Sequence, residues 1–307
     1  FAASQWSIGN PAVSFGLLML GTAFLGIGFG FTVTALNPLT YNLVPGKESS
    51  IVTGLHVMIG CGTAAAPLYL SYFRQIGHWW WSGILAAVLI LFLLLWLRPL
   101  SYQMPANASP INKSNSGIPL KVWFYGLIVF FYGTCEGTFG NWGSIYLEKQ
   151  VGLLPNQVAI GLSIFWFFIT FGRVVFSFLA LRFSTDWLYR LAPFLVALVF
   201  LFFPLVKGET LGFTAMAIGG LGLSFYFPNS ISRATADFPQ YAALVSGILV
   251  AAIQLGTGVS SNAIGWLLPY FTLNTLFRGL SVSAFIMAGL AFWLLSWKIK
   301  TIQTRTT

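Results

Sequence analysis

Residues 26–45, GIGFGFTVTALNPLTYNLVP, recur 194 positions later as residues 220–239, GLGLSFYFPNSISRATADFP. Gly26 falls on Gly220, Gly28 on Gly222 and Pro45 on Pro239. Each copy leads into an apolar stretch with Thr53-Gly54 or Ser246-Gly247 near its start and Gly62-Thr63 or Gly256-Thr257 near its middle. Two copies of one glycine-broken apolar unit predict a membrane protein built from repeats.

Composition agrees. The chain is 57% hydrophobic and 7% charged, with a mean hydropathy of +0.82. A soluble domain carries about 25% charged residues. Apolar runs of about 20 residues recur, each long enough to cross about 30 Å of hydrocarbon. Read with their breakers, they predict nine spans, near 13–41, 51–72, 80–98, 121–147, 157–182, 187–206, 210–235, 241–269 and 273–297. Transmembrane strands are not expected, because the runs are too long and do not alternate.

A net charge of +9 raises the question of a nucleic-acid partner, and the placement of the charges argues against one. With 99–120 on the cytoplasmic side, ten cations face inward: Lys47, Arg98, Lys113, Lys121, Arg182, Arg190, Arg233, Lys298, Lys300 and Arg305. Only Arg74, Lys149, Lys207 and Arg278 face outward, and Arg173 lies within a span. That asymmetry follows the positive-inside rule and predicts a cell-membrane protein with a cytoplasmic C-terminus. Cys61 and Cys135 both fall mid-span and read as buried free thiols. No His/Cys spacing suggests a metal, and no cofactor is expected.

Between the linker and the second repeat copy lie three spans, at 121–147, 157–182 and 187–206. Projected back by the repeat distance, the same three would precede Phe1, which implies roughly 75 further residues. The expected whole is twelve spans in two parallel six-helix halves. The organisation is then 1–98 as three helices of the first half, 99–120 as a Pro-, Ser- and Asn-rich linker, and 121–307 as the second half.

With these motifs, the chain resembles the major facilitator superfamily over essentially its whole length. Thr34-Ala-Leu-Asn37-Pro38 resembles the fourth-helix Asn-Pro signature of the fucose permease-like branch. Tyr132-Gly-Thr-Cys-Glu136-Gly-Thr-Phe-Gly140-Asn-Trp142 is similar to that branch's seventh-helix pattern, an acid followed six residues later by Trp. Gly172-Arg173, with Leu181-Arg182-Phe183, is similar to its eighth helix. The resemblance implies an all-α membrane bundle in which nine of twelve helices, the fourth to the twelfth, are present. It implies a cavity drawing on the spans at 13–41, 121–147 and 210–235. Sugar–proton symporters of this branch place an acid four residues before the Asn-Pro asparagine, and this chain has Val33 there.

Glu136 is the one acid deep inside a span. An ionisable group at that depth costs at least ~2.5 kcal/mol and should face the bundle interior. At 100° per residue, Tyr132, Gly133, Phe139, Gly140 and Gly143 lie within about 60° of it. Its carboxyl suits proton coupling or the binding of substrate hydroxyls or amines; the plainer alternative is a helix–helix hydrogen bond. Asn141 and Trp142 point away from Glu136 on an ideal wheel, so either the glycines distort the helix or the pair serves another contact. An indole beside an amide suits sugar stacking, and it equally suits an interface anchor.

Gly247, Gln254, Thr257, Gly258 and Ser261 share one face of 241–269, which should look inward. Gln254 there can donate and accept. His56 shares a face with Thr53, Gly60, Thr63 and Pro67 and reads as a substrate contact or a satisfied structural imidazole. Asn37, Pro38, Pro228 and Asn229 read as kink or gate residues, because proline frees a backbone carbonyl that a nearby amide can satisfy. Arg173 reads as gating or structural, pairing with an acid or reaching the headgroups.

These residues point to a secondary transporter, not an enzyme: a monomer moving a small polar, sugar-like solute across the bilayer, with H+ as the candidate coupling ion. The alternatives are efflux of amphipathic compounds and a non-transporting sensor derivative. HExxH, GxSxG and Walker A motifs are absent from the sequence, which argues against intramembrane catalysis and ATP-driven transport.

Overall fold

The computed structural model describes residues 1–43, 48–99, 118–179, 182–238 and 241–296. Among these residues the chain is helical, with no strand. It divides into two compact units, Phe1–Pro110 and Ile111–Thr307.

The first unit holds α1 (Ala2–Trp6), α2 (Pro11–Leu43), α3 (Glu48–Gln75) and α4 (Trp81–Leu97). Their side chains stay largely uncovered. Nothing in the described part of α4 is buried, and Leu94 and Trp96 are 63% and 67% exposed. Bare leucine and tryptophan along a whole helix suit contact with acyl chains.

The second unit holds α5 (Leu120–Gly137), α6 (Gly143–Tyr146), α7 (Pro155–Leu179), α8 (Thr185–Phe202), α9 (Gly208–Leu223), α10 (Tyr226–Asp237), α11 (Ala242–Leu267) and α12 (Leu273–Ser296). Two π-helical segments, Thr138–Trp142 and Leu147–Val151, flank α6, so 120–151 forms one interrupted rod. Gly152 ends it in the left-handed conformation, φ 79°. The N–H of Leu153 returns to the Leu147 carbonyl at 3.0 Å, closing the C-terminus as a glycine cap does.

Among the described residues, six helical stretches are long and apolar enough to cross a membrane: Pro11–Thr32, Pro155–Phe176, Asp186–Leu205, Gly208–Asp237, Leu244–Leu267 and Leu273–Ser296. Nine were expected. Trp81–Leu97 is apolar but only 17 residues long, the π segments divide 120–151, and α3 is not among the six. The helix ends nevertheless fall within a few residues of the predicted spans.

The repeat copies differ locally. α2 runs through Pro38 unbroken, whereas the second copy breaks at Ser224-Phe225 between α9 and α10. A Cβ on Gly26 or Gly28 would meet nothing within 4 Å. One on Gly220 would lie 2.5 Å from the Phe165 carbonyl oxygen, and one on Gly222 3.1 Å from Val196. These second-copy glycines therefore seat α9 against α7 and α8.

The tightest seam joins α5 to α11. A Cβ on Gly133 would strike the Ile253 carbonyl, one on Gly256 the Phe130 carbonyl, and one on Gly137 would lie 2.7 Å from the Thr257 methyl. Small residues let membrane helices approach until backbones touch. The Thr257 hydroxyl then donates to the Gly133 carbonyl at 3.1 Å. Gly256→Val should force the helices apart, with overpacking costing about 1–3 kcal/mol. The expected result is a lower melting temperature in detergent micelles, while Gly258→Ala, which opens onto free space, leaves it unchanged.

Candidate functional site

Glu136 leaves α5 one turn after Tyr132, whose hydroxyl donates to Oε1 at 2.9 Å. Arg173, from α7, interacts electrostatically with both the carboxylate and the phenol. The lone mid-span acid thus has a cation within reach, brought there across 37 positions of sequence. The Tyr132 ring stacks near those of Tyr226 and Phe227, 6.3 and 6.1 Å between centroids. Tyr226 stacks on Tyr189 at 4.4 Å, and Tyr189 shares a 2.7 Å hydrogen bond with Ser230. A column of aromatic rings therefore runs from the carboxyl to α8 and α10.

Local sequence explains how Arg173 reaches this place. Its predecessor, Gly172, abuts Ser224 so closely that a Cβ would collide with the Ser224 hydroxyl. The Arg173 Nε donates to the Ser224 carbonyl at 3.2 Å. That carbonyl lies four residues before Pro228, which has no N–H to close the turn onto it. An amide was expected to satisfy the proline-freed carbonyl; a guanidinium makes the bond. The Asn229 Oδ1 instead accepts from the Arg233 Nε at 3.3 Å.

Asn141 and Trp142 lie in the first π segment. Asn141 Nδ2 donates to Ser261 Oγ at 2.8 Å, and Trp142 Nε1 donates to the Ser261 carbonyl at 3.2 Å. Both open alternatives hold together: the helix is distorted, and these side chains contact α11, apart from Glu136. The polar face of α11 divides. Thr257 and Ser261 bond the rod at 120–151, whereas Gly247, Gln254 and Gly258 are exposed. Both cysteines are free, Cys135 buried as expected and Cys61 exposed. The side chains of Asn37, Pro38 and His56 lie outside the described residues.

One cluster has no counterpart in the sequence expectations. Lys121 Nζ lies 2.7 Å from Asp237 Oδ2, which also accepts from Tyr125 at 2.8 Å. Arg233 pairs with Asp186 at 2.6 Å and lies over the Tyr189 ring at 5.1 Å. These pairs tie the starts of α5 and α8 to the end of α10. Their signal in sequence is an acid and a base at matching depth on different spans, which a count of charges for topology passes over. Asp237→Asn should remove about 1.5–3 kcal/mol of charge-assisted bonding, read as a lower melting temperature that Lys121→Met partly restores.

A family model described as the Major Facilitator Superfamily matches residues 1–261. The chain is 24% identical over 288 residues to the glucose/mannose transporter GlcP of Bacillus subtilis, covering 87% of this chain and 69% of that protein. It is 27% identical over 290 residues to the uncharacterized transporter y4wD of Sinorhizobium fredii, covering 90% of this chain and 74% of that protein.

Proposed function

The chain belongs to the major facilitator superfamily, and on that footing we propose that it serves uptake of a small polar, sugar-like solute by alternating access, coupled to a proton through Glu136. The observation that carries this reading is the Tyr132–Glu136–Arg173 constellation: a carboxyl that accepts a phenol hydrogen bond at 2.9 Å beside a guanidinium. A carboxyl poised between a proton and a cation can exchange one for the other, and a solute rich in hydroxyls can compete for the same oxygens. The likeness to a relative named as a glucose/mannose transporter supports a sugar as the solute class.

The remaining assignments follow the same logic. Gln254, exposed on α11, offers a donor and an acceptor to a polyol. Asn141 and Trp142 hold α11 against the rod at 120–151 and are assigned to the substrate-facing wall there. His56 is assigned to substrate contact, and Asn37, Pro38, Pro228 and Asn229 to gating. The charge asymmetry supports a cytoplasmic C-terminus, and the repeat supports two six-helix halves joined by 99–120.

Uptake of radiolabelled glucose into proteoliposomes under an inward proton gradient tests the reading. Glucose should accumulate above equilibrium, and Glu136→Gln should abolish the accumulation while leaving gradient-independent exchange measurable. Accumulation by the variant equal to that of the parent would remove Glu136 from coupling.

A further inference from the structure

One side chain makes two contacts that matter for each other. Through Nε, Arg173 holds the Ser224 carbonyl left without a helical partner by Pro228. The same guanidinium acts on Tyr132 and Glu136. Ser224 and Phe225 form the break between α9 and α10. The ring of Phe225 stacks on Phe176 of α7 at 4.4 Å, and Tyr226 and Phe227, the first residues beyond it, stack near Tyr132.

We propose that Arg173 is a positioning residue that carries the charge state of Glu136 to the α9–α10 break. An ionised Glu136 holds the guanidinium by charge, and that placement keeps Nε on the Ser224 carbonyl. A neutral Glu136 weakens the hold, the carbonyl loses its donor, and the break loosens at the point where proline already forbids the helical bond. Gly172 is part of the device, since any larger residue would push α7 off Ser224.

Few other groups bear on the pair. Tyr132 faces it from α5 and Tyr226 from α10, with Tyr189 of α8 behind Tyr226; a phenol ordinarily titrates near about 10. α7 carries no titratable residue besides Arg173, α11 carries none, and α9 has only Glu209, which is bonded to Gln157. Arg233 is occupied by Asp186, and Arg278 of α12 acts on Tyr146. Cys135 adjoins Glu136 in sequence and is buried.

The inference extends the coupling role given to Glu136, and its test does not require transport. Hydrogen–deuterium exchange of the whole chain in detergent micelles reads the amides of residues 223–230, Pro228 excepted, directly. Glu136→Gln should raise exchange there by about ten- to a hundredfold, the range expected when a charge-assisted bond is lost. Arg173→Met should do the same, and the double variant should add nothing further. Arg173→Lys, which keeps the charge but not the forked donor, should fall between. Pro228→Ala, which supplies the missing N–H, should suppress the effect of Arg173→Met. Additive effects of the two single variants, or unchanged exchange in Arg173→Met that elutes as a folded monodisperse species, overturn the proposal. Intact exchange coupling without proton-driven glucose accumulation would overturn the transport reading alone.

Discussion

The backbones of α5 and α11 touch where Gly133, Gly137 and Gly256 leave no side chain between them. In lipid there is no hydrophobic force to press helices together, so contact distance and interhelical hydrogen bonds must do it. With the backbones this close, the short Thr257 side chain reaches a carbonyl of α5, and Ser261 receives Asn141 and Trp142. The rotation of α5 is fixed by these bonds on one side. Glu136 is left within the electrostatic influence of Arg173 on α7. A bulkier residue at the seam would move the acid as well as the helix.

The helices are legible in the sequence because bilayer thickness imposes a length on them. The runs from 13–41 to 273–297 fall close to α2 through α12 for that reason. What the apolar pattern does not contain is the interruptions. Both π segments meet neighbours that arrive from elsewhere: Trp166 packs beside Gly140 in the first, and Leu147 of the second packs beside Gly161 of α7 and Gly212 of α9. The break at Ser224-Phe225 is foreshadowed by Pro228, yet Pro38 at the corresponding region of the first copy leaves α2 unbroken. Proline removes a donor in both copies. In the second, the described partners Arg173 and Phe176 stabilise the opened backbone.

Around Glu136, the sequence shows which residues are costly in lipid and not which of them meet. A single acid within a span announces itself by its cost, and an arginine within a span does the same. Nothing in the spacing of Glu136 and Arg173 reveals that they share a location, since each lies on a separate helix. The side chains of Asn141 and Trp142 suggest substrate chemistry, and no pattern in the sequence discloses that their N–H groups bond Ser261 of α11. The pairs Lys121–Asp237 and Arg233–Asp186 are invisible in a tally of cations, which carries no information about acids at the same depth on other helices.

The two π segments carry a further implication for how this span can vary in length. A π turn accommodates one residue more than an α turn over a comparable stretch of axis. Either segment is therefore a place where a single codon can be lost while the backbone ladder closes up as an ordinary helix. The two losses would not be equivalent. Removal within Thr138–Trp142 would swing everything on one side of it by about 100° relative to the other, parting the indole from Ser261 or Tyr132 and Glu136 together from Arg173. Removal within Leu147–Val151 lies downstream of both and would instead disturb the Gly152 cap and the packing of Leu147 against Gly161 and Gly212. The first insertion sets the azimuth of one set of side chains against the other, while the second adjusts the reach of the exit.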